Sequence, residues 1–204
     1  MARRWAQAGR KVIIGSRTQE KGEQAAAELN SELGIDTVQG MENAAAAGAA
    51  DIVALTVPFS NQQPMLEAIQ GAVAGKILID ATVPLQPPKV ARVQLPDEDS
   101  AAVKAQNFLG DGVNVVAAFQ NVGAEHLAED HDIECDVLVA GDDVDAREEV
   151  IGWVEAAGLK GWHAGPLANS TAAEALTSVL ISINKRYKIR GSGIRITGTP
   201  GSAG

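Results

Sequence analysis

Short runs of apolar residues alternate along the chain with Ala-rich stretches whose apolar positions recur at helical spacing. The apolar runs predict strands at residues 11–15, 51–57, 76–82, 113–119 and 136–140. The rest of the pattern predicts helices at residues 18–33, 62–73 and 143–157, and a last helix that opens at Thr171 with Glu174 in a capping-box position. Because continuous apolar strands separated by helices are typical of a parallel sheet covered on both faces, the sequence predicts an α/β fold.

The amino-acid composition indicates which kind of core, which classes of partner and which cellular compartment to expect. Hydrophobic residues make up 46% of the chain and aromatic residues only 3%, so the core is expected to be aliphatic. The formal net charge of -9 argues against nucleic acid and anionic membranes as partners. Cys135 is the single cysteine, which excludes an internal disulfide and fits a cytoplasmic location. No apolar run approaches the length of a membrane span.

The first predicted strand runs directly into a hydroxyl and two cations. Ser16 and Arg17 follow the KVIIG run, and Lys21 comes one helical turn later. In dinucleotide-binding folds an acidic residue at this point takes the ribose 2′-hydroxyl of NAD, whereas a basic residue accommodates the 2′-phosphate of NADP. Positive charge is unfavourable at a helix N-terminus unless an anion binds there. The pattern therefore indicates NADP rather than NAD, and ordinary solvated charges are the alternative.

The second and third predicted strands end in similar loops. Thr56–Phe59 and Thr82–Leu85 each carry a Val-Pro pair directly after an apolar run. Ligands of open α/β sheets bind outside the carboxyl ends of the strands, and proline stiffens such a loop. Turn-forming prolines are also common after strands, so this feature supports a ligand site only together with the others.

Several motifs in a fixed order give the chain a family resemblance. They are VIIGSR, LTVPF, IDATVPL, VVAAFQNVGAEHL, VLVAGDD, HAGPLANS and GSGIRITG, and they extend over most of the chain. In this order they resemble the F420-dependent NADP reductases. The resemblance implies a Rossmann-like NADP-binding domain at residues 1–118, a small C-terminal α/β cap region at residues 119–190 and a Gly-rich tail at residues 191–204. It also implies an oxidoreductase that transfers hydride directly between NADP(H) and the deazaflavin coenzyme F420.

The same resemblance assigns residues to the two cofactors. Ser16, Arg17 and Lys21 would hold the 2′-phosphate. Other residues would line the nicotinamide or stand where the two rings stack. They are Val57, Pro58, Phe59, Val83, Leu85, Gln120, Asn121, Val122 and Ala124. The GPLANS segment would form the deazaflavin side. Gln120 stands where some relatives have histidine, and no side-chain acid, base or metal is expected to be essential. A homodimer is the expected assembly.

One part of the family pattern is missing from the sequence. Trp5 and Ala6 before Gly9 indicate the end of a helix that leads into the first predicted strand, and no G-x-G-x-x-G turn joins a strand to a helix. The expected Rossmann-like unit therefore lacks its first strand and phosphate-binding turn. Three interpretations are open: a misplaced or fragmentary start, a related reductase with a flavin, imine or metal-chelate acceptor, or an inactive domain. The final residues, TPGSAG, are expected to be disordered.

Overall fold

The computed structural model describes residues 1–198, in which seven strands form two sheets. The strands are β1 (Val12–Ser16), β2 (Val38–Glu42), β3 (Ile52–Leu55), β4 (Ile77–Asp80), β5 (Asn114–Ala117), β6 (Asp136–Gly141) and β7 (Lys160–Gly165). The first two pair with each other, and the other five form a sheet in the order β3-β4-β5-β6-β7. The predicted α/β architecture is thus confirmed.

Helices connect the strands and several begin at a side-chain cap. They are α1 (Ala2–Gln7), α2 (Gln19–Leu33), α3 (Asn43–Ala49), α4 (Gln62–Ile69), α5 (Ala101–Leu109), α6 (Ala124–Ala128), α7 (Val144–Ala156) and α8 (Ser170–Tyr187). Thr18 caps α2, Ser100 caps α5 and Asp143 caps α7, each by accepting a backbone N–H from the first turn. Such caps satisfy donors that have no partner within the helix.

One pairing departs from the predicted parallel sheet. β6 runs antiparallel to β5, while every other paired strand of the described chain is parallel. α6 is the one helix between these two strands, and its 5 residues span only about 7.5 Å. A parallel connection needs a longer crossover helix, so the chain re-enters the sheet at the end where it left.

The predicted start of the last helix is also corrected. α8 begins at Ser170, and its preceding residue Asn169 makes no side-chain cap. The carboxylate of Glu174 instead accepts the backbone N–H groups of Ala101 and Ala102, at 2.7 and 3.2 Å. Glu174 therefore caps α5, and the capping-box prediction was wrong because a helix distant in sequence offers it unpaired donors.

The large sheet is buried on both faces by aliphatic side chains, as predicted. Val116 belongs to a cluster with Val137 and Val139, whereas the adjacent Val115 belongs to a second cluster with Leu78. This alternation follows from the two-residue period of a strand. β5 lies in the predicted first domain and β6 in the predicted second, yet they share this sheet.

A cavity of about 1190 Å³ separates the two sheets. Residues of β1 and β3 line it, and Trp5 and Ala46 are among the residues that complete its wall. Within residues 1–198, β1 pairs only with β2, and β3 pairs only with β4. Two strand edges with unpaired backbone groups therefore face this cavity.

The Gly-rich tail follows the large sheet as far as the structure describes it. Asp136 N donates to Ile194 O, and Ile196 N donates to the Asp136 carboxylate, both at 2.8 Å. The TPGSAG segment, for which disorder was predicted, lies outside the described residues. No helix in residues 1–198 is long and apolar enough to cross a bilayer.

Candidate functional site

The predicted 2′-phosphate residues stand together where β1 meets α2. Ser16 ends the strand, and Thr18 Oγ1 caps the helix by accepting the Lys21 N–H. Arg17 and Lys21 are exposed, and their side chains make no hydrogen bond or ion pair within residues 1–198. Two unpaired cations beside the positive end of a helix dipole repel each other and attract an anion.

Very close backbone contacts between α2 and β2 fix the position of the first turn of α2. A Cβ atom added at Gly22 would lie 2.5 Å from the carbonyl oxygen of Met41, and one added at Gly40 would lie 2.0 Å from the carbonyl oxygen of Gly22. Only glycine lets α2 rest this closely on β2. The direction of the first turn of α2, and with it the position of Lys21, is therefore set by backbone packing rather than by flexible side chains.

The loops after β3 and β4 present apolar groups at the carboxyl ends of their strands. Val57 and Phe59 are half-buried after β3, and the Lys104 ammonium lies 5.5 Å from the centre of the Phe59 ring. After β4, Leu85 N donates to Val83 O at 2.7 Å, which makes a tight turn. These half-buried side chains offer flat apolar contacts to a ring.

The segment after β5 is held by buried amides. Phe119 adopts a positive φ of 74°. The Gln120 side chain donates through Nε2 to Asp80 O at 2.7 Å, and Asn121 Nδ2 donates to Asp136 O at the same distance. The Gln120 Oε1 and Asn121 Oδ1 atoms are buried and have no partner within the described residues. Each is an acceptor for which an N–H donor is still needed.

A buried polar network underlies these loops, and no pattern in the sequence predicted it. Asp80 is fully buried; its Oδ1 accepts both the N–H of Thr82 at 2.8 Å and its hydroxyl at 2.6 Å. Its Oδ2 accepts Gln62 Nε2 at 2.6 Å. Burial raises the pKa of Asp80, although these hydrogen bonds oppose the shift. An aspartate at the end of an otherwise apolar run was the signal that could have revealed it.

A second buried carboxylate belongs to α8. Glu174 is 1% exposed, and burial raises its pKa to about 7 despite the two α5 N–H groups that it accepts. The charge of Asp80 raises the pKa further. Both groups lie beneath the candidate site rather than on its surface.

The cavities bring only part of the predicted site together. Val57 and Ala124 line the 1190 Å³ cavity, as does Gly15 at the end of β1. Asn121 and Val122 line a separate cavity of about 240 Å³. The other predicted residues line neither of these two cavities. No group of acidic, histidine or cysteine side chains in residues 1–198 could hold a metal ion.

Comparisons with known proteins identify a family that this chain resembles. Residues 1–84 match the family model described as NADP oxidoreductase coenzyme F420-dependent. The chain is 41% identical to the F420-dependent NADP reductase of Methanothermobacter thermautotrophicus, over 98% of this chain and 90% of that protein. It is 37% identical to the enzyme of the same name from Methanocaldococcus jannaschii, over 92% of this chain and 87% of that protein.

Solved structures agree on the fold. A candidate F420-dependent NADP reductase from Arthrobacter sp. FB24 matches with a TM-score of 0.79 at 23% identity, covering 97% of this chain and 93% of that one. The 3-hydroxyisobutyrate dehydrogenase of Mycobacterium tuberculosis matches with a TM-score of 0.62 at 13% identity, covering 91% and 57%. The near-complete alignment with the first relatives, at more than a third identity, decides the family: this chain belongs to the F420-dependent NADP reductases.

Proposed function

We propose that this chain transfers a hydride between NADP(H) and coenzyme F420, as the family to which it belongs does by name. The observation that carries the proposal is the pair of unpaired cations, Arg17 and Lys21, at the capped N-terminus of α2. When bound, the two cofactors supply the chemistry, since the hydride passes directly from one ring carbon to the other. The protein binds and aligns them.

The residues proposed to hold the 2′-phosphate favour NADP over NAD. The Ser16 hydroxyl can donate to a phosphate oxygen, the Arg17 guanidinium can bind in bidentate fashion, and Lys21 adds a point charge. An acidic residue is absent from residues 15–18, where it would repel the phosphate. The pyrophosphate is assigned to no residue of the described chain.

The nicotinamide side is proposed for the loops after β3, β4 and β5. Val57, Phe59, Val83 and Leu85 would contact the ring, and Ala124 at the start of α6 would close one end. The orphaned Gln120 Oε1 fits this assignment because a carboxamide N–H2 would supply the donor that it lacks. The deazaflavin side is proposed for residues 165–170, where Leu167 is buried and Asn169 is exposed.

Isotope transfer tests the reaction. Purified protein is mixed with F420 and NADPH deuterated at the transferred position, and the reduced coenzyme is analysed by mass spectrometry. Direct transfer predicts deuterium in reduced F420 and none in water. Deuterium lost to solvent, or reduction of free flavin in place of F420, would contradict the proposal.

Binding measurements test the 2′-phosphate site. Replacing Arg17→Ala removes a charged hydrogen bond worth about 1.5 kcal/mol at an exposed position, so NADPH is expected to bind about tenfold more weakly. NADH should bind as before, because it lacks the phosphate. Lys185→Ala, at an exposed position near the end of α8, is the matched control and should change neither affinity. Equal weakening of both coenzymes would refute the assignment.

The same proposal includes a homodimer, a cytoplasmic location and no nucleic-acid partner. The net charge of -9 and the single buried cysteine support the last two. Sedimentation of the purified chain across a concentration series tests the homodimer, and a constant monomer mass would refute it.

A further inference from the structure

The three loops that carry most of the proposed cofactor-facing residues converge on one buried residue, Asp80, through its carboxylate and its main-chain oxygen. The loop at residues 81–85 is tied to Asp80 through both the N–H and the hydroxyl of Thr82. The loop at residues 57–61 leads into Gln62, whose Nε2 donates to Asp80 Oδ2. The segment at residues 119–124 is tied through Gln120 Nε2, which donates to the Asp80 main-chain oxygen.

We propose that Asp80 is a positioning residue that clamps these three loops, so that the parts of the surface proposed for the nicotinamide keep a fixed relation to one another. This inference rests on the proposed function for the identity of the ring. The clamp itself is a property of the chain and can be tested in the absence of both cofactors.

A carboxylate is the side chain that suits this junction. An ionised carboxylate only accepts, and it can take hydrogen bonds at both oxygens. Asp80 uses this capacity for three donors, from Thr82 and Gln62. An asparagine at the same place would turn an N–H2 group toward one of those donors. The amide of Gln62 cannot simply rotate to compensate, because its Nε2 also donates to Ala101 O at 2.9 Å.

The charge balance also sets Asp80 apart from an ordinary core residue. It is fully buried, and no lysine, arginine or histidine within residues 1–198 forms an ion pair with it. The carboxyl of Glu174, a group of the same sign, interacts electrostatically with Asp80. Burying an unpaired carboxylate is unfavourable, and here three hydrogen bonds offset part of that cost. The groups that it holds, at the ends of β3, β4 and β5, are the proposed cofactor surface.

The geometry also explains why one residue can reach all three loops. β4 lies between β3 and β5, and Asp80 is its last residue, in register with Leu55 and Ala117. Its main-chain oxygen accepts Ala118 N at 3.2 Å as well as the Gln120 amide. The middle strand of these three therefore brings one residue, with both its carboxylate and its main-chain oxygen as acceptors, to the place where all three strands end.

Hydrogen–deuterium exchange of the free protein tests the clamp. Asp80→Asn is compared with wild type and with Asp136→Asn, another buried aspartate whose carboxylate accepts Trp162 Nε1 and Ile196 N. The clamp predicts faster exchange in residues 57–62 and 81–85 together for Asp80→Asn, because the carboxylate holds these two loops. Residues 119–124 are held by the main-chain oxygen, which the substitution keeps, and should exchange as in wild type. The control should change exchange only around residues 160–165 and 194–196.

Turnover and isotope effects test the consequence for alignment. A misplacement of about 1 Å can reduce hydride transfer on the order of 100-fold. Asp80→Asn is therefore expected to lower kcat by about 10- to 100-fold per folded molecule and to increase the primary deuterium isotope effect. The Asp136→Asn control should leave kcat within about twofold of wild type, because the carboxylate that it replaces contacts none of the three loops, and the main-chain oxygen that accepts Asn121 Nδ2 is kept.

These measurements distinguish a clamp from a general contribution of Asp80 to the stability of the core. Faster exchange in only the 81–85 segment, or unchanged kcat and isotope effect despite faster exchange in both segments, would overturn the proposal. If Asp80→Asn does not fold, Gln62→Leu removes one tie, and it must speed exchange in residues 57–62 and raise the isotope effect, or the clamp is wrong. A wild-type protein without F420 reduction would refute the proposed function, while the exchange result would still decide the clamp.

Discussion

Replacing Glu174→Gln should change how the stability of this protein depends on pH. Burial raises the pKa of Glu174 to about 7, from an ordinary value of 4.5. Between these two values the folded state holds a proton that the unfolded state releases. The free energy of unfolding therefore falls as pH rises from 4.5 to about 7, and the contribution is constant above that range.

The size of this effect follows from the shift itself. A difference of about 2.5 pKa units corresponds to about 3 kcal/mol of stability lost across that window. Glutamine does not titrate, so the variant should lack this part of the pH dependence. It can accept one N–H of α5 but turns an N–H2 group toward the other, and it should thus be less stable than wild type at pH 5.

Urea denaturation followed by tryptophan fluorescence, between pH 5 and pH 8, measures the difference. The stability advantage of wild type over Glu174→Gln should shrink by about 3 kcal/mol across this range. Asp80 is present in both proteins, so its own titration largely cancels in the comparison. Glu67→Gln, on the exposed side of α4, is the control and should run parallel to wild type. Parallel curves for Glu174→Gln and wild type would refute the reasoning.

Two further substitutions test the packing that positions the site. Gly22→Ala should destabilise the protein by about 2–4 kcal/mol, because its Cβ would lie 2.5 Å from Met41 O, and thermal unfolding measures this. In the control Gly152→Ala, in α7, the added Cβ has no atom within 4 Å, so this substitution should be neutral or stabilising by up to about 1 kcal/mol. Similar effects of the two substitutions would contradict the close-contact argument. Trp5→Ala should cost about 3–5 kcal/mol in urea, since Trp5 packs edge-on against Phe119 and Trp153, and a loss below about 1 kcal/mol would show that this contact is not part of the core.

The sequence pattern predicted a strand or helix correctly where the element has a continuous apolar run or where its capping residue directly precedes it. β1 and the large-sheet strands β3 to β6 each overlap the apolar run that predicted them, and α2 and α7 begin within a residue of the predicted starts. The strands β2 and β7 were missed because VQGME and KGWHAG are interrupted by glycine and polar residues. Short helices such as α3 and α5 lie in segments whose periodicity is too brief to stand out.

The sequence by itself determined the fold class, the family and the succession of Ser16, Arg17 and Lys21 after the first strand. These features depend on residues that are neighbours along the chain. Only the tertiary structure decided the antiparallel entry of β6, the partner of Glu174 on α5 and the convergence of three loops on Asp80. Those features join groups that lie far apart in sequence, as Glu174 and Ala101 do. Their pairing follows from where the folded chain leaves unsatisfied donors and acceptors, which no local pattern records.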